Sequence, residues 1–134
     1  MMCPLKILLV DDNRRFMEIA ADYLSGHTGI EIVGLADSGR DALRMVDELF
    51  PDLVLMDLSM PEMNGLEAIR QIKARATPPR VVMLTMYDGP EFCALARKAG
   101  ADGFVTKADF GDLLWPLILK LFPRLEAEPA HQIA

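Results

Sequence analysis

The sequence predicts a doubly wound α/β fold, a single five-stranded parallel sheet with five helices packed on its two faces. Two observations carry this reading. Short apolar runs of strand length alternate five times with segments whose apolar residues recur every three or four positions, the pattern of buried strands and amphipathic helices. Parallel neighbours require crossover helices, and these pack right-handed onto the sheet. The length adds a third constraint, since 134 residues suit one hydrophobic core. Residues 1–122 therefore read as one domain, and 123–134, with Pro123, Pro129 and mostly small or polar residues, as a flexible C-terminal tail.

The elements follow in order. Leu5 to Val10 is a nearly continuous apolar run that stops at Asp11-Asp12, as a strand buried on both faces does. Asn13 caps a helix from Arg14 to Ser25, ended by Gly26. Ile30 to Leu35 is the second strand; Ser38 caps a helix over Asp41 to Leu49, which stops before Pro51. Leu53 to Met56 is a third strand ending at Asp57, and the loop from Leu58 to Gly65 leads to a helix from about Leu66 to Arg75. Arg80 to Thr85 is the fourth strand, and Glu91 to Ala99 a helix closed by Gly100. Gly103 to Thr106 is the fifth strand. Asp112 to Phe122 is the last helix, with Pro116 tolerated in its first turn.

Charge and composition exclude some functions. A net charge of −6, without clustered Lys and Arg, argues against a nucleic-acid surface. Cys3 and Cys93 are able to pair in an oxidising compartment, but two cysteines in a well-cored domain are more simply reduced thiols in a cytoplasmic protein. The first residues show no signal-peptide pattern. No apolar run reaches the ~20 residues needed to cross a bilayer.

In open α/β sheets the functional site lies at the carboxyl ends of the strands. Strand one ends at Asp11 and Asp12, strand three at Asp57, strand four at Thr85 and strand five beside Lys107. Each alone has a plainer reading: Asp12 as a helix cap, Thr85 as a strand residue, Phe104 as core, Lys107 as a solvated charge. Their convergence on one rim favours function. Carboxylates about 4 Å apart repel by roughly 4 kcal/mol per pair at an effective dielectric near 20, so a cation is expected. Oxygen-only ligands select Mg²⁺, or Mn²⁺, over Zn²⁺, and His27 and His131 lie away from the strand ends. With a metal present, Asp57 is suited to attack phosphorus and form an acyl phosphate, with Lys107 neutralising the transferring oxygens. Charge-assisted bonds from Thr85 and Lys107 would supply roughly 3–6 kcal/mol, comparable with the ~5.5 kcal/mol that reverses a 1:99 equilibrium.

These motifs, Leu8-Leu9-Val10-Asp11-Asp12-Asn13, Met56 to Gly65, Leu84-Thr85 and Gly100 to Lys107, make residues 5 to 121 resemble the receiver domain of two-component response regulators. The resemblance implies a flavodoxin-like strand order 2-1-3-4-5. It implies Asp57 as phosphoacceptor; Asp12, Asp57 and the backbone carbonyl of Ser59 as direct metal ligands, with Asp11 acting mainly through water; and Thr85 with Phe104 as a hydroxyl-aromatic switch. The donor it implies is a phosphohistidine on a sensor histidine kinase or phosphotransfer protein. Ala108 replaces a frequent proline, which removes any ground for assuming a cis peptide after Lys107. Ser59 and Tyr87 sit where receivers vary and should tune acyl-phosphate lifetime.

The segment Leu84 to Asp88 is similar to NarL-type receivers, which usually precede a helix-turn-helix module; a stand-alone regulator and a fragment both remain open. The last helix, apolar around its girth from Leu113 to Phe122 apart from Lys120, is expected to be covered on its outer face, Trp115 included, by a homodimer mate or another partner, or else by the tail folding back. An aspartyl-phosphate phosphatase would place Asp-x-Asp on strand one and carry a cap domain, and a phosphorylation-independent pseudo-receiver would have lost acids. Neither pattern is present.

Overall fold

The computed structural model describes residues 3–58, 63–86 and 89–127. Five parallel strands, β1 (Leu5–Val10), β2 (Ile30–Ala36), β3 (Leu53–Met56), β4 (Arg80–Thr85) and β5 (Gly103–Thr106), form one sheet in the order β2-β1-β3-β4-β5. The helices α1 (Arg14–Ser25), α2 (Gly39–Leu49), α3 (Gly65–Lys73), α4 (Pro90–Ala99) and α5 (Phe110–Leu121) alternate with them. This is the predicted architecture and strand order.

Alternation along the strands divides the core in two. Leu8, Val10, Val54, Met56, Val81 and Met83 meet the buried faces of α2, α3 and α4. Leu5, Ile7, Leu9, Leu53, Leu55, Val82 and Leu84 meet Met17, Ala20 and Leu24 of α1 and Leu114 and Ile118 of α5. Apart from the exposed Lys6 and Arg80 near their starts, the central strands are dry on both faces, which explains their nearly continuous apolar runs. Among the described residues no helix is long and apolar enough to cross a membrane.

Local chemistry sets the helix starts. Asn13 Oδ1 accepts the Phe16 amide at 3.0 Å and Ser38 Oγ the Asp41 amide at 3.1 Å. Asn64 Oδ1 accepts the Glu67 amide at 2.9 Å, a cap that the sequence pattern does not single out. Gly100 closes α4 with φ of 113°, a left-handed position that suits glycine.

Three expectations change. The last helix begins at Phe110 rather than Asp112, so Pro116 lies inside it. A proline there removes its own donor and crowds the carbonyl four residues back. Beside this proline the Tyr23 hydroxyl accepts the Trp115 amide at 3.1 Å, tying α5 to α1. Second, the apolar girth of α5 is largely used within the chain: Trp115 stacks on His27 with ring centroids 4.0 Å apart, and Phe110 packs edge-on to Tyr23. The cover expected for Trp115 from a dimer mate thus comes in part from His27, just past the end of α1. Leu113, 51% exposed, is the large apolar side chain of α5 left open. Third, the tail does not begin at 123. Pro123–Ala127 form a 3-10 turn, and Leu125 is fully buried in the α1/α5 core because it fills the space beside Gly29. Residues 128–134, including His131, lie outside the described residues.

Candidate functional site

The acids and the lysine reach the rim because ladder hydrogen bonds continue past the strand ends. The Asp11 amide donates to Ala36 O at 3.0 Å, the Asp57 amide to Val10 O at 2.9 Å and the Lys107 amide to Thr85 O at 2.6 Å. Asp11, Asp57 and Lys107 are each held by the neighbouring strand, which fixes the backbone while leaving the side chain to project over the edge.

One carboxylate oxygen each from Asp11, Asp12 and Asp57 lies within 4.8 Å of the others. Asp11 and Asp57 are buried and Asp12 is exposed, so the cluster has a dry base and an open mouth. Lys107 Nζ lies 2.6 Å from Asp11 Oδ2 and 3.6 Å from Asp57 Oδ1. No cis peptide occurs among the described residues, so the lysine reaches this position across a trans bond to Ala108. Asp11 is further engaged through Oδ1, which accepts the Asn13 amide at 2.8 Å.

Burial pushes the Asp57 carboxyl up to about 6, and the Asp11 charge pushes in the same direction; the Lys107 ammonium opposes both without cancelling them. The cluster thus carries more negative charge than its lysine offsets. An all-oxygen donor set, part buried and part open to water, fits a hard divalent cation of the Mg²⁺ class, which keeps several waters and takes few carboxylates.

Thr85 is fully buried at the end of β4, opposite Thr106 in register. Phe104 pairs with Met83, one alternation below Thr85 on the same face of the sheet, and packs half-buried on the α2/α3/α4 core. The structure thus brings Asp11, Asp12, Asp57 and Lys107 together at one rim with Thr85 at its edge. Phe104 stands lower, toward α4, where a hollow of ≈ 60 Å³ adjoins it. Ser59 and Tyr87 lie outside the described residues.

Two contributors escape sequence reasoning as site residues. The Lys107 ammonium sits 4.5 Å from the centroid of the Phe16 ring, a residue that the spacing marks only as one of the apolar positions of α1. Gly65 starts α3 directly against the Asp57 backbone, where a Cβ would overlap the Asp57 carbonyl oxygen. The neighbour is backbone and unable to yield cheaply, so Gly65→Ala should cost about 1–3 kcal/mol and displace Asp57. Urea unfolding together with the phosphorylation assay described below checks both effects; a variant matching the wild type in both would show that the contact relaxes freely.

A response regulator receiver domain family model matches residues 7–115. The chain is 40% identical over 104 residues to the response regulator protein VraR of Staphylococcus saprophyticus, covering 78% of this chain and 50% of that protein. It is 38% identical over 110 residues to the transcriptional regulatory protein YdfI of Bacillus subtilis, covering 82% and 51% respectively. The chain thus spans about half the length of these curated relatives. Among solved structures, the signal receiver domain of NarL from Mycobacterium tuberculosis superposes with a TM-score of 0.84 at 28% identity, covering 90% of this chain and 97% of that one.

Proposed function

The chain belongs to the response regulator receiver domain family, and from that membership we propose that it is a phosphorylation-activated switch that takes a phosphoryl group onto Asp57. Receiver domains are signalling domains of two-component systems. The observation that carries the assignment to Asp57 is its position: a buried carboxylate flanked by Asp11, Asp12 and Lys107 at the open end of the sheet.

In the proposed reaction a carboxylate oxygen of Asp57 attacks the phosphorus of a phosphohistidine on a sensor kinase or phosphotransfer protein. The new P–O bond forms as the P–N bond breaks, and the imidazole leaves with the bonding electron pair and takes up a proton from solvent. Lys107 stabilises charge gathering on the transferring oxygens. Asp11, Asp12 and Asp57, with the carbonyl of Ser59, would hold Mg²⁺ or Mn²⁺, whose contribution when bound is to neutralise the equatorial phosphoryl oxygens. Thr85 then reports the modification by donating its hydroxyl to a phosphoryl oxygen, and Phe104 relays the change toward α4.

A mostly apolar hollow of ≈ 480 Å³ lined by Asn13, Phe16, Ile19, Met86, Lys107 and Phe110 adjoins the rim, and suits the seat of the donor protein. The acidic balance of the chain supports a protein rather than a nucleic-acid partner, in the cytoplasm. Incubation with acetyl phosphate and MgCl₂ should add the mass of one phosphoryl group, lost on hydroxylamine treatment and mapped to Asp57. Absence of the adduct, or its placement on another residue, overturns the assignment.

Metal binding has its own signature. At pH 7.5, Mg²⁺ at about a hundredfold its dissociation constant should stabilise the chain by roughly 2.7 kcal/mol. The gain should fade below pH 6 as Asp57 takes up a proton. Thermal melts with MgCl₂ and with EDTA across that range test this, and a gain independent of pH would place the ion elsewhere.

A further inference from the structure

We propose that Phe16 is a positioning residue for Lys107, holding the ammonium by its ring face so that it stays aimed across the mouth of the acidic cluster. This rests on the reading of Lys107 as the cation that meets the transferring phosphoryl group. Lys107 Nζ has three neighbours, two carboxylates and a ring: Asp11 at 2.6 Å, Asp57 at 3.6 Å and the Phe16 ring centroid at 4.5 Å. An ammonium within about 6 Å of a ring centroid is attracted by the negative face of the ring.

The contacts close on themselves. Lys107 Nζ bonds Asp11, Asp11 Oδ1 accepts the Asn13 amide at 2.8 Å, Asn13 Oδ1 accepts the Phe16 amide at 3.0 Å, and the Phe16 ring returns to Lys107. The residue that faces the lysine is thus located by the same carboxylate that pairs with it. The ring is also braced by Phe110, edge-on with centroids 5.2 Å apart, and Phe110 by Tyr23 in the same manner. Ring and ammonium are therefore fixed relative to each other by α1, β5 and α5 together.

A ring differs from a third carboxylate in what it does to the lysine. It offers no competing charge, so it orients the ammonium without neutralising it, and its apolar body keeps water from that side. When a phosphoryl group forms on Asp57, the ammonium is able to turn from Asp11 to the new oxygens while still resting on the ring.

Phe16→Leu keeps apolar bulk and removes the π face, and Phe16→Tyr keeps the face. In the metal-free wild type, ring currents should shift the terminal methylene protons of Lys107 upfield in NMR spectra. That shift should vanish in F16L and persist in F16Y. With acetyl phosphate and MgCl₂, the limiting rate of phosphoryl uptake should fall about three- to tenfold in F16L with little change in half-saturating Mg²⁺, and return in F16Y. Unshifted Lys107 protons in the wild type overturn the proposal whether or not any variant folds. So do an F16L rate equal to wild type and an F16Y rate as low as F16L. A wild-type chain that takes up no phosphoryl group sinks the proposed function instead, and the Lys107 shift then still decides whether the ring holds the ammonium.

Discussion

Asp57→Asn should stabilise the metal-free chain by about 2–3 kcal/mol at pH 7.5 while abolishing phosphoryl uptake. The Asp57 carboxyl is raised to about 6, first by burial and then by the Asp11 charge. Its unfolded value lies near 3.8, so between these two values the folded chain holds a proton that the unfolded chain has released. The Asp57 contribution to stability is therefore highest below about pH 4, falls as pH rises through the window, and levels off above pH 6 with the ionised carboxylate buried at a cost. Asparagine keeps the shape and removes the titration, so its advantage should be full above pH 6 and absent near pH 4. Urea unfolding at pH 7.5 and at pH 4 measures both limits. An Asn variant less stable than wild type at pH 7.5 would falsify the account of Asp57 as an electrostatically strained group. Adding Mg²⁺ should narrow the gap at neutral pH, because only the wild type has the third carboxylate.

The destabilised carboxylate is legible in the sequence because strand ends are the most readable feature of this fold. An apolar run that stops at a charged residue, as at Asp11 or Asp57, names both the element and the position of its side chain. Parallel pairing then gathers the five ends at one edge, so the acids and Lys107 needed no long-range contact to be placed. What stayed hidden depends on contacts between elements. Phe16 looks like any apolar residue of an amphipathic helix until α1 is laid beside β5. Leu125 lies beyond a proline in a polar stretch, and only the space beside Gly29 makes it core. The start of α5 at Phe110 is hidden because Pro116 argues for a helix beginning near it. The Tyr23 hydroxyl, which holds the Trp115 amide close to the proline, comes from another helix and leaves no local signal. Asp102 is similar: its carboxylate takes the Lys73 ammonium at 2.8 Å, Arg80 at 3.1 Å and the Val81 amide at 2.8 Å. These contacts hold its carboxyl below the usual range despite burial, yet in sequence Asp102 is one polar residue between glycines.

Lys107→Met should have the opposite sign to Asp57→Asn and a comparable size. The lysine side chain is 12% exposed and its partner Asp11 5%, so removing the cation leaves carboxylates in a nearly dry site. Breaking a buried pair from one side costs about 3–5 kcal/mol; the open mouth beside Asp12 lets water in, which places the expected loss near 3 kcal/mol for the metal-free chain. The raised Asp57 carboxyl should rise further, since the ammonium, more than the Leu58 backbone hydrogen bond, is what now opposes burial and Asp11. The destabilisation should therefore shrink on acidification as Asp57 is protonated. Mg²⁺ should recover part of the loss, because a divalent ion supplies positive charge to the same oxygens. It should not recover phosphoryl uptake in full: a missing charge-assisted bond of about 1.5–3 kcal/mol leaves the rate lower by roughly ten- to a hundredfold. In the double variant with Asp57→Asn, the cost of losing the lysine should be smaller than in the wild-type background, because one of the two charges it faces is gone. The cycle of four proteins, measured by urea unfolding in EDTA at pH 7.5, isolates that coupling. If Lys107→Met were as stable as wild type there, the ammonium would not be compensating the cluster, and its proposed part in stabilising a transferring phosphoryl group would lose its physical basis.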